Sequence, residues 1–167
     1  MIIRLALSDD IQQIAALYVK NHTETYRGLL SDAYFETLTL DYAKKQWSTY
    51  LCSEGKKMWV AYHEEAFLGF SAGKKDESLE DTWYLDSLHI TKNARGKGIG
   101  TALIRTMMDY AVEQQYSKMS VCIVKGNETA GNLYKKLGAE HILDFEDDFC
   151  GTVSHSEKLL WKTLSGI

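Results

Sequence analysis

Proline is absent from the 167 residues, which sets the chain apart from collagen-like and proline-rich disordered sequences. Cysteine is scarce: Cys52, Cys122 and Cys150 are odd in number, far apart and never in a CxxC or Cys/His spacing. Neither a disulfide framework nor a cysteine metal site is expected, and the three read as reduced thiols. Basic residues are also short, 19 Lys and Arg against 23 Asp and Glu, for a net charge of −4. General affinity for a phosphate backbone needs clustered cations, so nucleic acid is not expected as a partner. No apolar run approaches the ~20 residues of a membrane span, and "MIIRLALSDD" meets two aspartates before a signal peptide could form. The expectation is a soluble, cytoplasmic protein without a membrane or metal partner.

What is present fits one domain over residues 1–167, with 45% hydrophobic and 25% charged residues. "MIIRLAL" predicts a strand, and Ser8 or Asp9 caps a helix carrying Ile11, Ile14, Ala15, Leu17 and Tyr18 on one face. After a break at Gly28, a second helical segment restarts at Ser31 or Asp32 and runs through Tyr34, Phe35, Leu38, Tyr42 and Trp47. The period then changes to two. "KMWVAYH" and "AFLGFSAG" flank Glu64 and Glu65 as a hairpin, and "DTWYLDSLHI" is a third run of the same kind. A helix with Ile99, Ala102, Leu103, Thr106, Met107, Tyr110 and Ala111 on one face follows. "KMSVCIV", a helix from Glu128 to Leu137, the stop Gly138 and the strands "AEHILDF" and "GTVSHSEKLLW" complete a mixed α/β order.

The chemistry concentrates in "RGKGIG", residues 95–100, between a strand and a helix. Three glycines let backbone N–H groups approach a ligand, and the helix end adds positive potential. Arg95, Lys97 and Thr101 add charge and a hydroxyl, making an anion site suited to a pyrophosphate. A P-loop is excluded because Lys97 lies between the glycines. A dinucleotide turn is excluded because Leu103 stands where its last glycine belongs. Taken alone, a tight strand-to-helix turn explains the stretch as well.

Arg95, Gly98 and Gly100, with two residues and one residue between them, follow a strand and open an amphipathic helix. Downstream, "GNETAGNLYKKLGA" spaces Asn127, Ala130, Tyr134, Leu137 and Gly138. Together these resemble the two cofactor motifs of the GCN5-related N-acetyltransferase superfamily. "TKNA" replaces the proline often found before the arginine, and Ala139 replaces an aromatic. The resemblance implies a mixed, mostly antiparallel central sheet with splayed central strands, flanked by helices.

It also implies acetyl-CoA as cosubstrate. Main-chain groups from Leu88 through His89 to Ile90 would hold the pantetheine arm, and Arg95, Gly96, Lys97, Gly98, Ile99, Gly100 and Thr101 the pyrophosphate. Tyr134 would donate a proton to the leaving thiolate, Asn127 would cap its helix or touch the pantetheine, and a main-chain N–H near Leu88 would meet the oxyanion.

An alkyl amine near pKa ~10.4 must lose a proton before it attacks a thioester. Asp86, nine residues before Arg95, stands where polyamine acetyltransferases of the superfamily carry a glutamate, and is the expected base, directly or through water. Simple alternation puts Asp86, Leu88 and Ile90 on one strand face and Trp83, Leu85, Ser87 and His89 on the other, with Tyr84 beside Asp86. The acceptor pocket is expected from Tyr26, Arg27 and Tyr84, with Glu146, Asp147, Asp148 and His155 of the last hairpin as further candidates. No cysteine lies in the motifs, so direct transfer is expected over an acyl-enzyme. The acceptor is a primary amine of a small molecule, polyamine-like or another metabolite, or of a peptide. A CoA-binding sensor or scaffold without turnover is the rival, and a second copy of the chain is the protein partner left open.

Overall fold

The computed structural model describes residues 1–149 and 151–164, so Cys150 lies outside the described residues. A seven-stranded sheet runs in the order β1-β2-β3-β4-β5-β7-β6. The strands are β1 (Ile2–Leu5), β2 (Lys56–His63), β3 (Ala66–Lys75), β4 (Thr82–Ile90), β5 (Lys118–Val124), β6 (Glu140–Phe149) and β7 (Thr152–Trp161). Every neighbouring pair is antiparallel except β4 and β5, which are parallel because α4 crosses between them. Glu64 takes φ 53° at the tip of the β2–β3 hairpin, where the paired glutamates predict the turn.

The helices are α1 (Ile11–Tyr26), α2 (Asp32–Thr37), α3 (Leu40–Cys52), α4 (Ile99–Glu113) and α5 (Glu128–Lys136). The expected second helical segment is two helices. Leu38 leaves the helical region at ψ 63°, and the Thr39 hydroxyl accepts the Tyr42 N–H at 3.1 Å to cap a new start. The first helix is preceded by a short 3-10 turn over Ser8–Asp10.

Each sheet face carries its own core. α4 and α5 cover Trp83, Leu85, Met119, Val121, Leu159 and Trp161, with Leu103, Met107 and Ala111 of α4 fully buried at successive turns. α1 and α3 cover Met58, Val60, Phe70 and Ala72 with Ile14, Ala15 and Trp47. Each large side chain so buried contributes about 1.5–3 kcal/mol.

Three features of the sheet position the site. First, β4 and β5 pair only from Thr82↔Lys118 to Leu85↔Val121, although β4 continues to Ile90 and β5 to Val124. Beyond Leu85 the two strands part, and among the described residues no strand pairs with that edge of β4.

Second, the register with β3 slips: Ala72 faces Ser87 but Gly73 faces Leu85, so Asp86 is the extra residue of a β-bulge. Simple alternation therefore fails at this point. Trp83 and Leu85 sit in the α4 core, and Leu88 and Ile90 pack against that same core. His89 lies in the α1 layer, against Tyr18 and stacked on Phe70. Asp86 stands with Tyr84 and His89 rather than with Leu88 and Ile90.

Third, the β3–β4 connection is pinned under the sheet by a buried ion pair. Lys158 Nζ lies 2.6 Å from Asp76, which also accepts from Ser78 and from Ser120. Burial alone would raise the Asp76 carboxyl, but the Lys158 ammonium and the two hydroxyls override it and hold it down to about 2.

Candidate active site

A cleft of about 1060 Å³ opens where β4 and β5 part. One end is the glycine corner. Gly96 and Gly98 adopt φ +73° and +80°, in the left-handed region that favours glycine, and Gly98 is the N-cap of α4. A Cβ at either would meet nothing within 4 Å, so the backbone here faces open space. Gly100 differs: a Cβ there would sit 3.3 Å from Leu133, so it serves close packing between α4 and α5. Arg95, Gly96, Gly98, Ile99, Gly100 and Thr101 line the cleft. Lys97 does not; it lines a separate concavity with Lys20, Lys92 and His63.

Along the wall, Thr91 N–H donates to Leu68 O at 2.9 Å, so by the two-residue period His89 turns its main chain to β3 while Leu88 and Ile90 turn theirs to the cleft. The Ile90 carbonyl is already occupied, by Asn21 Nδ2 at 3.2 Å and Arg95 Nε at 3.3 Å. Among the described residues the Ile90 N–H and both Leu88 main-chain groups have no partner. His89 contributes a partly buried imidazole whose pKa desolvation pushes well below its ordinary value.

Tyr134 projects from α5 into the gap. It is 5% exposed, packs edge-on against Trp161 at 5.8 Å, and burial raises its phenol above the ordinary value. Asn127, at the head of the same helix, accepts the Ala130 N–H at 3.4 Å as the N-cap. Its side chain also lies beside the Tyr26 hydroxyl of α1. Leu29 sits 3.4 Å from a Cβ built on Gly126, so the segment after α1 crosses to the β5–α5 turn.

The other end of the cleft is aromatic and acidic. Tyr18, His22, Tyr26, Trp47, Tyr84, Asp86 and Asp147 line it. Lys74 Nζ stands 4.0 Å from Asp86 and 5.8 Å from the Tyr84 ring centroid. His22 Nδ1 lies 2.9 Å from the Tyr34 hydroxyl, and burial lowers its pKa to about 4. Cys122 lies beside Tyr84 at the floor.

The "FEDDF" stretch divides by position. Asp147 lines the cleft, Asp148 accepts the Gly151 N–H at 2.7 Å to tie the β6–β7 turn, and Glu146 pairs with His155 at 3.3 Å. Of the acceptor candidates, Tyr26 and Tyr84 line the cleft, while Arg27 is exposed at the end of α1 and does not. Asn21, Tyr18, His22 and Trp47 escaped sequence reasoning, because on an amphipathic helix they are indistinguishable from core and flanking residues.

A family model described as the acetyltransferase (GNAT) family matches residues 15–139. The thialysine N-epsilon-acetyltransferase of Mus musculus is 33% identical over 73 residues, 41% of this chain and 43% of that enzyme, so less than half of this relative is spanned. Among solved structures, a ribosomal-protein-alanine N-acetyltransferase from Brucella melitensis superposes with a TM-score of 0.76 at 22% identity, covering 96% of this chain and 99% of that one. An N-acetyltransferase of Thermoplasma acidophilum in complex with coenzyme A gives a TM-score of 0.69 at 16% identity, covering 94% and 98%. These two likenesses show the fold.

Proposed function

Because the chain belongs to the acetyltransferase (GNAT) family, with acetyl-CoA as cosubstrate, we propose that it moves the acetyl group directly onto a primary amine held in the aromatic, acidic half of the cleft. The observation that carries the reading is the parting of β4 and β5, which leaves one strand edge bare between the glycine corner and the Tyr134 phenol. The residues fit the cosubstrate: the bare edge offers Leu88 main-chain groups and the Ile90 N–H, and the corner offers backbone facing open space.

Asp86 takes the proton from the incoming ammonium, directly or through one water. Placed by the bulge on the Tyr84 side, it faces the half of the cleft where the amine enters. The Leu88 N–H, aimed into the cleft, meets the charge that develops on the carbonyl oxygen. Tyr134 gives its proton to the departing thiolate and is restored by the second proton, which the new amide nitrogen sheds as the thiolate leaves. With its phenol raised by burial it stays protonated through neutral pH, so the acid is always ready.

Asp86 and Asp147 with four aromatic rings favour a cationic acceptor, such as a polyamine or the side-chain amine of a lysine-like amino acid or peptide. The thialysine acetyltransferase relative supports the lysine-like choice. An acceptor screen tests the reading: acetyl-CoA with a panel of polyamines, lysine analogues, amino sugars and lysyl peptides, followed by thiol release. Turnover with a cationic primary amine is expected. Tight CoA binding without turnover for any amine would support the sensor or scaffold instead.

A further inference from the structure

Asn21 is 94% buried, since only 6% of it is exposed, yet it sits on α1, far along the chain from the corner. Its amide is used at both ends. Nδ2 donates to the Ile90 carbonyl at 3.2 Å, and Oδ1 accepts from Arg95 Nη2 at 2.9 Å. Arg95 Nε closes the triangle by donating to the same Ile90 carbonyl at 3.3 Å, and Glu24 stands 4.0 Å from Nη2. A long, flexible guanidinium on an exposed corner is thus held in one orientation by a neutral, buried partner.

We infer that Asn21 is a positioning residue for the cosubstrate: it pre-aims Arg95 at the pyrophosphate position. This rests on the reading that residues 95–101 hold the pyrophosphate. A neutral amide suits the task better than a carboxylate would. It fixes the guanidinium without neutralising it, so the positive charge stays available to an anion. Glu24, half-exposed and farther off, is a weaker competitor that solvent screens. Asn21 also ties the corner to α1, whose later residues His22 and Tyr26 line the acceptor half. Ordering the guanidinium therefore steadies one wall of the acceptor pocket.

Titration calorimetry with CoA on the full chain tests this in a double-mutant cycle of Asn21→Ala, Arg95→Ala and the pair, with melting curves recorded for each. Asn21→Ala is expected to weaken CoA about tenfold, as loss of a hydrogen bond to a charged group implies. The double variant should bind CoA as Arg95→Ala does, because the effect passes through the guanidinium. Asn21→Asp, nearly isosteric, keeps the Arg95 contact but neutralises the charge and loses the donation to the Ile90 carbonyl, and should bind more weakly than Asn21→Ala. Multiplying losses in the double variant, or wild-type affinity in Asn21→Ala or Asn21→Asp, overturns the positioning role alone. Wild-type affinity in Arg95→Ala shows that the guanidinium does not hold the pyrophosphate, which overturns the role of Asn21 and leaves that anion to the corner's backbone alone.

Discussion

Tyr134→Phe removes one hydroxyl and little else. The ring stays in its pocket and keeps its edge contact with Trp161 at 5.8 Å, and among the described residues the lost hydroxyl has no hydrogen-bond partner. Stability should therefore hold, with the melting temperature within about 2 °C of wild type. Catalysis should not. A phenol whose pKa burial raises cannot act as a base or as a phenolate near neutral pH, so its chemical use is to donate. Positioned acids contribute roughly 10²–10⁴-fold, and a thiolate with a conjugate acid near pKa ~8.5 is a fair leaving group that needs help at the low end. The expected loss in kcat is about 10²-fold, close to 2.7 kcal/mol of barrier. CoA affinity should change less than about twofold, because the corner and the β4 edge are untouched. Thiol release under saturating acetyl-CoA, with calorimetry for CoA in parallel, reads both quantities. A kcat within threefold of wild type refutes the acid role; a fall in CoA affinity matching the fall in kcat shows that the hydroxyl binds rather than reacts.

Asp86→Asn keeps size and removes the proton acceptor; kcat/KM for the amine should fall about 10- to 100-fold with the basic rise of the pH profile flattened, and a profile superimposable on wild type refutes the assignment. Gly98→Ala places a Cβ on a residue at φ +80° that opens α4, so a stability loss of about 1–2 kcal/mol by denaturant titration is expected, together with weaker CoA binding because the new methyl points into the open space of the corner. Unchanged stability and affinity together would remove Gly98 from the corner's function. His22 is partly buried and desolvation lowers its pKa to about 4, so the unfolded chain takes its proton first as the pH drops below ~6.5. The protein should lose about 3 kcal/mol between those two pH values from this group, and His22→Gln should flatten that part of the stability curve; an equal slope in the variant refutes it.

What could be seen in the sequence was what short-range geometry decides. The corner was legible because glycines at 96 and 98 are what a strand-to-helix turn with two left-handed residues demands, and α4 because its apolar residues recur every turn. The break at Leu38 was masked by continuous helical spacing on both sides, although Thr39 with Asp41 is a serviceable cap. Asn21 and Arg95 are 74 positions apart, and a polar residue on a helix gives no sign that the sheet edge will bury it. The bulge is the most instructive case. "YLDSL" contains no glycine to mark it, and strict alternation would have sent Asp86 inward with Leu88 and Ile90, toward the α4 core where an ionised carboxylate is costly. One extra residue in β4 lets Leu85 and Leu88, three apart, both face α4, and leaves Asp86 at a half-exposed position beside Lys74 and Tyr84. The same slip separates the candidate base from the apolar strand face and sets it in the wall of the acceptor half. Straightening β4 with Ser87 kept and Leu85 held in the α4 core would reverse the faces of Leu88, His89 and Ile90. Neither core nor site could survive that exchange, so the bulge is as necessary to the chemistry as Asp86 itself.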